Sequence, residues 1–589
     1  MSIKSLAQRY LPILEWGSKY SSKTFLNDLV VAGIVTFMLI PQSLAYALLA
    51  GLPMQVGLYA SMAPLLLYAI FGTSRTLAVG PVAVASLMTA AAVGKVASQG
   101  SPEYLGAAIA LAVISGLLLL TMGLLRLGFL ANFLSHPVIA GFITASGIQI
   151  AAGQLGPVLG IHAHGENFVA IVKTMLPNFG HINPYTAAIG LGSLVFLLCV
   201  RQGLKPLLCR FGVAERTADT LAKVGPLGAI AATTLAAWGF GLSDRGVSIV
   251  GMVPKGLPSL ALPPFEMGLW MALLVPALLI SIVGYVESIS VALTLAAKRR
   301  QRVDPDQELI ALGAANIGAG LSGGFPVSGG ISRSIVNFNA GAETPAAGAF
   351  TAVGIALAAL FLTPLLFFLP KATLAAIIIV AVMSLVDLGA IRHIWHYSRA
   401  DGAAMIGTIV VTLIEGVEAG LITGVGLSIF LHLYQTSKPH VAVVGQLPGT
   451  MNFRNVLRHK VVTSPEILSL RVDASFYFPN ARFIEEYINE AVAANPAVRH
   501  VILACPAVNT IDASALESLE AINHRLKDGG IFLHLSEVKG PVMDRLQRSH
   551  FLEELTGKVH LTHYDAVCSI DVELASSTLA AERGQPKRA

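Results

Sequence analysis

The chain has 589 residues, of which 54% are hydrophobic and only 12% are charged, and its mean hydropathy is +0.70. This composition excludes an ordinary soluble globular protein and predicts a membrane protein with many spanning segments. The net charge of +5 gives no indication of nucleic-acid binding. Residues 1–440 contain more basic than acidic residues, which fits basic loops beside a membrane.

Apolar segments that could cross a bilayer follow one another through most of the chain. A spanning helix needs about 20 apolar residues, and fourteen segments reach or approach that length. If the N-terminus is cytoplasmic, 17 basic residues fall at cytoplasmic positions and 5 at outer positions. This asymmetry follows the positive-inside rule and supports the count, because omitting one segment would invert every later loop. The predicted segments are 26–50, 52–71, 76–95, 104–125, 136–156, 183–200, 221–241, 268–297, 307–321, 326–340, 346–369, 371–387, 402–417 and 418–436.

Polar side chains occur in the first spanning segment, in the run 40–46 (IPQSLAY). Gln42 and Tyr46 are four residues apart and therefore share one face of a helix. Gln42 can donate to an anion, and Tyr46 can form the wall of the pocket. Hydrogen bonding between helices, worth about 0.6 kcal/mol on average, explains Gln42 equally well. Asp28, near the start of the same segment, is explained by helix capping.

The third and tenth segments are both short and broken by Gly and Pro. The third contains Gly80-Pro81, and the tenth contains the run 324–332 (GFPVSGGIS). They occupy matching places in two halves of seven segments, and because seven is odd the halves must have opposite orientations. Paired broken segments in an inverted repeat indicate a transporter site near the membrane midplane. Taken alone, Gly80-Pro81 would be an ordinary kink.

The stretch 321–346 carries Arg333 between long apolar runs. Broken backbone at membrane depth is tolerated only where it is buried in protein or lines a cavity, and a buried Arg there indicates a functional site. A short helix starting near Ser328 would direct free N–H groups and a positive dipole end towards an anion. The alternative is a kinked helix whose Arg333 points into a cytoplasmic loop.

Glu287 is the only acid placed clearly in the middle of a predicted spanning segment. Desolvation favours the protonated carboxyl and a nearby Arg favours the charged form, so a group balanced between them can exchange protons during transport. Gly284, Ser290 and Thr294 fall on the same helical face and would leave room for water or substrate. The alternative is a structural ion pair between Glu287 and Arg333.

Beyond the last spanning segment, short apolar strands alternate with amphipathic helices, which predicts a small α/β domain. Asp512 stands where a helix N-cap is expected. The predicted strands are 468–472, 500–505 and 531–535, and the predicted helices are 480–494, 512–527 and 541–549.

These patterns divide the chain into four parts. Residues 1–25 contain basic residues but no clean apolar run, so they predict a cytoplasmic segment rather than a cleaved signal peptide. A transmembrane domain (26–437), a small cytoplasmic α/β domain (438–575) and a polar C-terminal tail (576–589) follow. Both termini are expected in the cytoplasm.

No metal, cofactor or catalytic motif is recognisable. The pairs His162/His164 and His393/His396 have metal-like spacing, but no Cys or carboxylate set accompanies them. We interpret them as loop and interface residues. The four Cys residues show neither disulfide nor metal spacing. We therefore expect neither enzyme function nor a bound cofactor or metal.

Several motifs together resemble the SulP family of sulfate permeases and anion transporters over nearly the whole chain. Any one motif is weak, but their combination is highly specific. The C-terminal part resembles the STAS domain that such transporters carry after the last helix. The motifs are 41–47 (PQSLAYA), 57–61 (GLYAS) leading to 72–75 (GTSR), 79–81 (VGP), 332–334 (SRS) with Asn337, and 341–345 (GAETP).

The resemblance implies an all-α membrane domain of fourteen helices in a 7+7 inverted repeat, divided into core and gate domains and usually dimeric. It implies that the anion sits between the third and tenth helices and that the eighth helix packs near the tenth. It also implies a cytoplasmic STAS domain that can bind a protein partner. Carried over by position, the substrate-binding residues are Gln42, Tyr46, Val82, Ser332 and Arg333.

Four positions depart from the family pattern. Glu343 stands where many members have a basic residue, and Val56 replaces a common aromatic residue. In the run 511–515 (IDASA), Asp512 and Ser514 of the phosphorylatable Asp-Ser-Ser-Gly pattern remain, but its middle Ser and its Gly are missing. Ser514 is the candidate regulatory residue, although these losses argue against its phosphorylation.

The resulting interpretation is a multi-pass protein of the cell inner membrane that takes up a small anion, with sulfate favoured. Protons are the expected coupling ion, Glu287 is the predicted coupling residue, and the movement is elevator-like. Alternatives are a bicarbonate or dicarboxylate transporter coupled to sodium or protons, an uncoupled exchanger or channel, and a membrane-tethered regulatory module with vestigial transport. Glu287 argues against a channel, and Gln42, Ser332 and Arg333 argue against vestigial transport.

Overall fold

The computed structural model describes residues 10–129 and 135–581, except residues 162, 164, 166, 214, 216, 217, 219, 220, 223 and 253–255. The predicted pair His162 and His164 therefore lies outside the described residues. The chain divides into two compact units, Met1–Ser428 and Ile429–Ala589. The division falls inside the last apolar helix.

The first unit is helical, and each of the fourteen predicted spanning segments contains one α-helix within the described residues. Seven helical stretches there have 18 or more residues and are apolar enough to cross a membrane, and three apolar helices are shorter. The helices are α1 (Ile13–Gly17), α2 (Ser22–Leu49), α3 (Met54–Phe71), α4 (Ala83–Val93), α5 (Pro102–Leu124), α6 (His136–Leu159), α7 (Phe168–Met175), α8 (Pro184–Cys199), α9 (Lys205–Arg210), α10 (Gly225–Gly239), α11 (Met267–Lys298), α12 (Pro305–Leu321), α13 (Ile331–Ala340), α14 (Ala346–Phe361), α15 (Lys371–Val382), α16 (Leu388–Tyr397), α17 (Arg399–Glu415) and α18 (Val417–Ser437).

Polar caps begin several of these helices. The side chains of Ser21, Ser101 and Asn183 accept hydrogen bonds from backbone N–H groups in the first turns of α2, α5 and α8. Such caps satisfy donors that have no partner inside the helix. Ser21 therefore caps α2, and the prediction that capping explains Asp28 is wrong.

The helices pack in two groups. α2–α5 pack with α11–α14, whereas α6, α8 and α10 pack with α15 and α17. Glycine allows close approach of helices in the first group, since a Cβ added to Gly116 of α5 would lie 2.7 Å from the carbonyl oxygen of Gly313 in α12. The groups match the expected core and gate domains. The first combines the first four segments of each half, and the second combines the last three segments of the first half with the twelfth and thirteenth segments.

The third and tenth segments start later as helices than their sequences predict. Residues before Ala83 and Ile331 are extended and form two short strands, β1 (Val79–Gly80) and β2 (Ser328–Gly329). The strands pair antiparallel, with Val79 opposite Gly329 and Gly80 opposite Ser328. The tenth helix thus begins at Ile331 rather than at Ser328. The predicted break in both segments is confirmed.

Two buried carboxylates fix loops of the first unit. Asp28 is fully buried and accepts hydrogen bonds from the Glu343 N–H at 2.9 Å and the Thr344 hydroxyl at 2.6 Å. Glu308 is fully buried at the start of α12 and accepts from the hydroxyls of Tyr68 at 2.7 Å and Thr73 at 2.6 Å. Each carboxylate is held by side chains far away in the sequence.

Amphipathic helices α7 and α16 are not predicted from the sequence, because each is too short to span a bilayer. α16 carries His393 and His396, and both side chains are exposed. In the part of the chain that the structure describes, no group of three or more His, Cys, Asp or Glu side chains is placed to hold a metal ion.

The second unit is a six-stranded sheet with helices on both faces. The strand order is β4-β3-β5-β6-β7-β8, in which β5 to β8 are parallel and β3 is antiparallel to both of its neighbours. The strands are β3 (Val441–Gln446), β4 (Phe453–Asn455), β5 (Ile467–Val472), β6 (His500–Ala504), β7 (Phe532–Ser536) and β8 (Val559–His560), and the helices are α19 (Ala481–Ala493), α20 (Ala513–Asp528), α21 (Gly540–Leu546), α22 (Phe551–Glu554), α23 (His563–Ile570) and α24 (Val572–Ala580).

The predicted α/β pattern of this unit is confirmed, and each predicted strand and helix has a counterpart. Ile484 of α19 and Ile522 of α20 pack on one face of the sheet, and Val567 of α23 packs on the other. The tail predicted from residue 576 starts too early, because α24 continues to Ala580 and the buried Thr578 accepts a hydrogen bond from Gly449 N–H. Residues 582–589 lie outside the described part.

The start of α20 contains the candidate regulatory residue. Asp512 is the N-cap, as predicted, and accepts hydrogen bonds from the N–H groups of Ala515 at 2.9 Å and Phe478 at 2.8 Å. Ser514 is exposed in the first turn. A phosphate at a helix N-terminus is favoured by the dipole, whereas a neighbouring carboxylate opposes it.

Candidate functional site

Pairing of β1 with β2 brings the N-terminal ends of α4 and α13 to the same place. The pairing is extended by a hydrogen bond from Gly330 N–H to the Ala78 carbonyl at 3.1 Å. Ser334 Oγ accepts a further bond from Ala78 N–H at 3.0 Å. The two broken segments are thereby fixed to each other.

The two helix ends present unpaired backbone donors. The first bonds at each start run from Ser86 N–H to Val82 O and from Ser334 N–H to Gly330 O. The N–H groups of residues 83–85 and 331–333 have no partner within their helices. The positive ends of both helix dipoles add to these donors and favour an anion.

A cavity of about 40 Å³ lies at these two helix ends. Ala83 and Val84 contribute the α4 end, and Gly330 and Ile331 contribute the α13 end. All six residues predicted for substrate binding and proton coupling also line it. They are Gln42, Tyr46, Val82, Glu287, Ser332 and Arg333.

Arg333 is buried beside this cavity, with 2% of its surface exposed, and does not point into a loop. Its Nη1 donates to the Pro81 carbonyl at 2.6 Å, whereas its Nε and Nη2 are buried and have no partner among the described residues. Gly330 leaves the space for the side chain, since a Cβ there would lie 2.8 Å from Cζ of Arg333. The guanidinium therefore joins the two broken segments and keeps unused donors.

Glu287 reaches the cavity from α11, which packs against both β2 and α13. Among the described residues no Lys, Arg or His nitrogen lies within 4.0 Å of its carboxylate, so the alternative of a structural ion pair with Arg333 is not formed. Arg333 is nevertheless near enough to attract the carboxylate electrostatically. The carboxylate thus stays available to a proton.

The residues predicted to lie on the same helical face as Glu287 do not line the cavity with it. Gly284 packs against Ser328, whose Cβ would lie 3.1 Å from a Cβ at Gly284. Ser290 and Thr294, in contrast, are exposed and do not line the cavity. The expectation that they leave room for substrate beside Glu287 is therefore wrong.

Gln42 and Tyr46 lie on the face of α2 that borders the cavity. Neither side chain has a hydrogen-bond partner among the described residues, and Tyr46 is 8% exposed. The Gln42 amide is thus not used in bonding between helices. This geometry favours its role as a donor to a ligand and leaves Tyr46 as part of the wall.

Sequence reasoning missed the wall on the opposite side of the cavity. That wall comes from the end of α15 and the residues after it, namely Ala381, Val382, Ser384 and Leu385. These side chains are mostly apolar and carry no chemical signal that could identify them. Core and gate helices therefore enclose the cavity together.

Family models match most of the chain. The model described as the sulfate permease family covers residues 25–432, and the model of the STAS domain covers residues 459–566. The first match includes all the residues that line the cavity.

Curated relatives and a solved structure match over nearly their full lengths. "Sulfate transporter 4.1, chloroplastic" of Arabidopsis thaliana is 36% identical over 564 residues, which are 93% of this chain and 80% of that protein. "High affinity sulfate transporter 2" of Stylosanthes hamata is 33% identical over 587 residues, 97% of this chain and 87% of that protein. The structure of the murine Slc26a9 anion transporter in the inward-facing state superposes with a TM-score of 0.86 at 22% identity, covering 97% of this chain and 96% of that chain.

Proposed function

Because the chain belongs to the sulfate permease family, we propose that it is a secondary active transporter that takes up sulfate together with protons. It is a multi-pass membrane protein with a C-terminal STAS domain. The proposal depends above all on the cavity where two helix N-termini meet the unpaired Nε and Nη2 groups of Arg333.

The cavity offers the groups that a desolvated anion needs. Arg333 supplies a full positive charge, and the two helix ends supply N–H donors with favourable dipoles. Gln42 and Ser332 donate to anion oxygens, and Tyr46 and Val82 close the wall. Binding and release of the anion by these groups require neither a catalysed reaction nor a cofactor, in keeping with a family of transporters.

The size of the cavity favours a small inorganic anion, and the names of the relatives favour sulfate. A volume of about 40 Å³ leaves room for a small inorganic anion, since one water needs about 10–15 Å³. A four-carbon dicarboxylate fits this space poorly. The two curated relatives described above are both named sulfate transporters.

Movement of one helix group against the other would provide alternating access. The anion donors belong to α2, α4 and α13, and Glu287 belongs to α11. All four helices lie in the core group, whereas the opposite wall belongs to α15 in the gate group. Sliding the core group past this wall would carry the anion and the Glu287 proton together. This is the elevator-like movement that we propose.

The expected setting is the cell inner membrane, with both termini in the cytoplasm and two copies of the chain forming a dimer. The basic loops of the first unit support this orientation. We propose that the STAS domain binds a protein partner and that Ser514, exposed at the start of α20, is its regulatory position.

Reconstituted proteoliposomes test the transport proposal. Labelled sulfate, bicarbonate and succinate are supplied outside, with and without an inside-alkaline pH gradient. We expect the gradient to drive accumulation of sulfate more strongly than that of the other two anions. Equal uptake with and without the gradient would contradict proton coupling and identify the protein as an uncoupled exchanger or channel. Accumulation of bicarbonate or succinate in place of sulfate would show that the substrate is that anion and not sulfate.

Removal of the second unit should spare the anion site. All the residues that line the cavity lie in the first unit, and the second unit has its own hydrophobic core. A chain ending near Lys438 is therefore expected to bind sulfate within a few-fold of the full-length affinity, with an altered transport rate. Complete loss of binding in a truncated protein that keeps its helical content would contradict this separation.

A further inference from the structure

A second basic cavity lies in the first unit, apart from the anion site. It has a volume of about 940 Å³, and we call it the arginine cavity. Two carboxylates, Glu15 and Asp304, also line it, so the formal charge of its lining is about +2 by the ordinary charge states of these residues. Its arginines are Arg75, Arg299, Arg300 and Arg302.

None of these four arginines forms an ion pair with a described residue. In the part of the chain that the structure describes, no carboxylate lies within 4.0 Å of the guanidinium of Arg75, Arg300 or Arg302. Asp304 is occupied elsewhere, because its Oδ1 accepts from the backbone N–H of Asp306 at 3.0 Å at the start of α12. Like charges gathered in a concave wall create a strong positive potential.

The backbone of Arg300 adds a second observation. This residue follows α11 with φ at 53°, in the left-handed region that favours glycine. Gln301 N–H bonds back to the Ala296 carbonyl at 2.9 Å, as at a helix C-terminus where Gly is the usual residue. Arg300 therefore places a guanidinium at the cavity from a backbone conformation that Gly would adopt without strain.

We propose that the arginine cavity binds a phosphate monoester, either free in solution or as the headgroup of an anionic lipid. Guanidinium groups hold phosphate oxygens through paired hydrogen bonds, which remain available to arginines that form no ion pair with a carboxylate. Basic pockets between spanning helices on the cytoplasmic side suit phosphorylated headgroups. Arg75, Arg300 and Arg302 all lie on the predicted cytoplasmic side.

Arg299, which lines the cavity, connects it to both helices that carry the charged residues of the anion site. Arg299 donates to the carbonyl oxygens of Phe338 and Ala342 at the end of α13, and its guanidinium lies 4.4 Å from the Phe338 ring centroid. Arg299 and Arg300 directly follow α11, which carries Glu287. A ligand held here would lie at the end of α11 and would reach the end of α13 through Arg299, from a site separate from the anion site.

Matched glycine substitutions test the proposal. Arg300→Gly removes a guanidinium from the cavity at a position where Gly adopts the backbone conformation without strain. Arg126→Gly is the control, because Arg126 is also exposed, has φ at 59° and does not line the cavity. Full-length protein is studied in phosphatidylcholine nanodiscs with added glycerol 3-phosphate, and in nanodiscs that contain phosphatidic acid. Affinity is measured by tryptophan fluorescence and by the shift in thermal unfolding midpoint.

We expect wild type and Arg126→Gly to respond equally and Arg300→Gly to bind about tenfold more weakly. A response to phosphatidic acid alone identifies a lipid headgroup, and a response to both probes identifies a site open to soluble monoesters as well. No response to either probe, or equal responses in wild type and Arg300→Gly, would overturn the proposal. Phosphate bound at Arg333 would persist in every variant, and because the readout is binding, the result is independent of the proposed proton coupling.

Discussion

Replacement of Arg333 by glutamine is expected to weaken sulfate binding by about tenfold or more. Arg333 lines the cavity at 2% exposure, and in the described part of the chain its Nε and Nη2 have no partner. A hydrogen bond to a charged group contributes about 1.5–3 kcal/mol, and about 1.4 kcal/mol corresponds to a factor of ten. Titration of the purified protein with sulfate measures the loss directly.

Two further substitutions separate charge from scaffold. Arg333→Lys keeps a positive charge but loses the planar fork, so we expect an intermediate affinity. Ser334→Ala removes the bond that Ser334 Oγ accepts from Ala78 N–H, so it should lower the thermal unfolding midpoint and weaken sulfate binding less than Arg333→Gln. If folded Arg333→Gln binds sulfate as tightly as wild type, Arg333 serves only to hold Pro81.

The break in the two short segments could be predicted because its cause is local. Pro81 has no N–H to donate, and the glycines around Ser328 favour extended backbone over helix. The same local chemistry predicted free helix N-termini at both breaks. The role of Val82 and Ser332 as substrate-binding residues came instead from the family resemblance. Only the exact starts at Ala83 and Ile331 required the strand pairing to be seen.

The buried acids could not be predicted, because their partners are far away in the chain. Asp28 is held by Glu343 and Thr344, which follow it by more than 300 residues. Glu308 is held by Tyr68 and Thr73, which lie in the other half of the repeat. Spacing within one segment carries no information about such contacts.

Helical periodicity has a similar limit. It grouped Ser290 and Thr294 with Glu287 correctly as one face of α11, but it could not tell which neighbour covers each part of that face. In the structure Glu287 is the one residue of these three that lines the cavity, and Ser290 and Thr294 are exposed. The gate wall at Leu385 escaped prediction for a related reason, since apolar side chains look alike wherever they pack.

Glu287→Gln is expected to abolish sulfate accumulation driven by a pH gradient while sulfate exchange continues. Glutamine has nearly the shape of the protonated carboxyl and carries no charge, so it mimics the state that we propose binds sulfate. Glu287 lines the cavity with Arg333 and forms no ion pair among the described residues. The substitution therefore leaves no broken bridge behind, in contrast to the loss of one partner of a buried pair.

The direction of the pH effect follows from charge. A negative carboxylate beside the cavity repels sulfate, and protonation removes that repulsion, so proton and sulfate bind cooperatively. By reciprocity, bound sulfate raises the proton affinity of Glu287 by the same factor. Wild-type sulfate affinity should therefore rise as pH falls, whereas the affinity of Glu287→Gln should be high and nearly independent of pH.

Glu308→Gln provides the matched control, since it makes the same change at another buried acid of the membrane domain. The Glu308 carboxylate is occupied by the hydroxyls of Tyr68 and Thr73 and does not line the cavity. We expect this variant to have a lower thermal unfolding midpoint. The protein that remains folded should still accumulate sulfate under the pH gradient. Proteoliposomes loaded to equal protein content compare the two variants under the same inside-alkaline gradient. A stable Glu287→Gln protein that still accumulates sulfate under the gradient would refute the coupling role, because a side chain that cannot titrate cannot carry the proton.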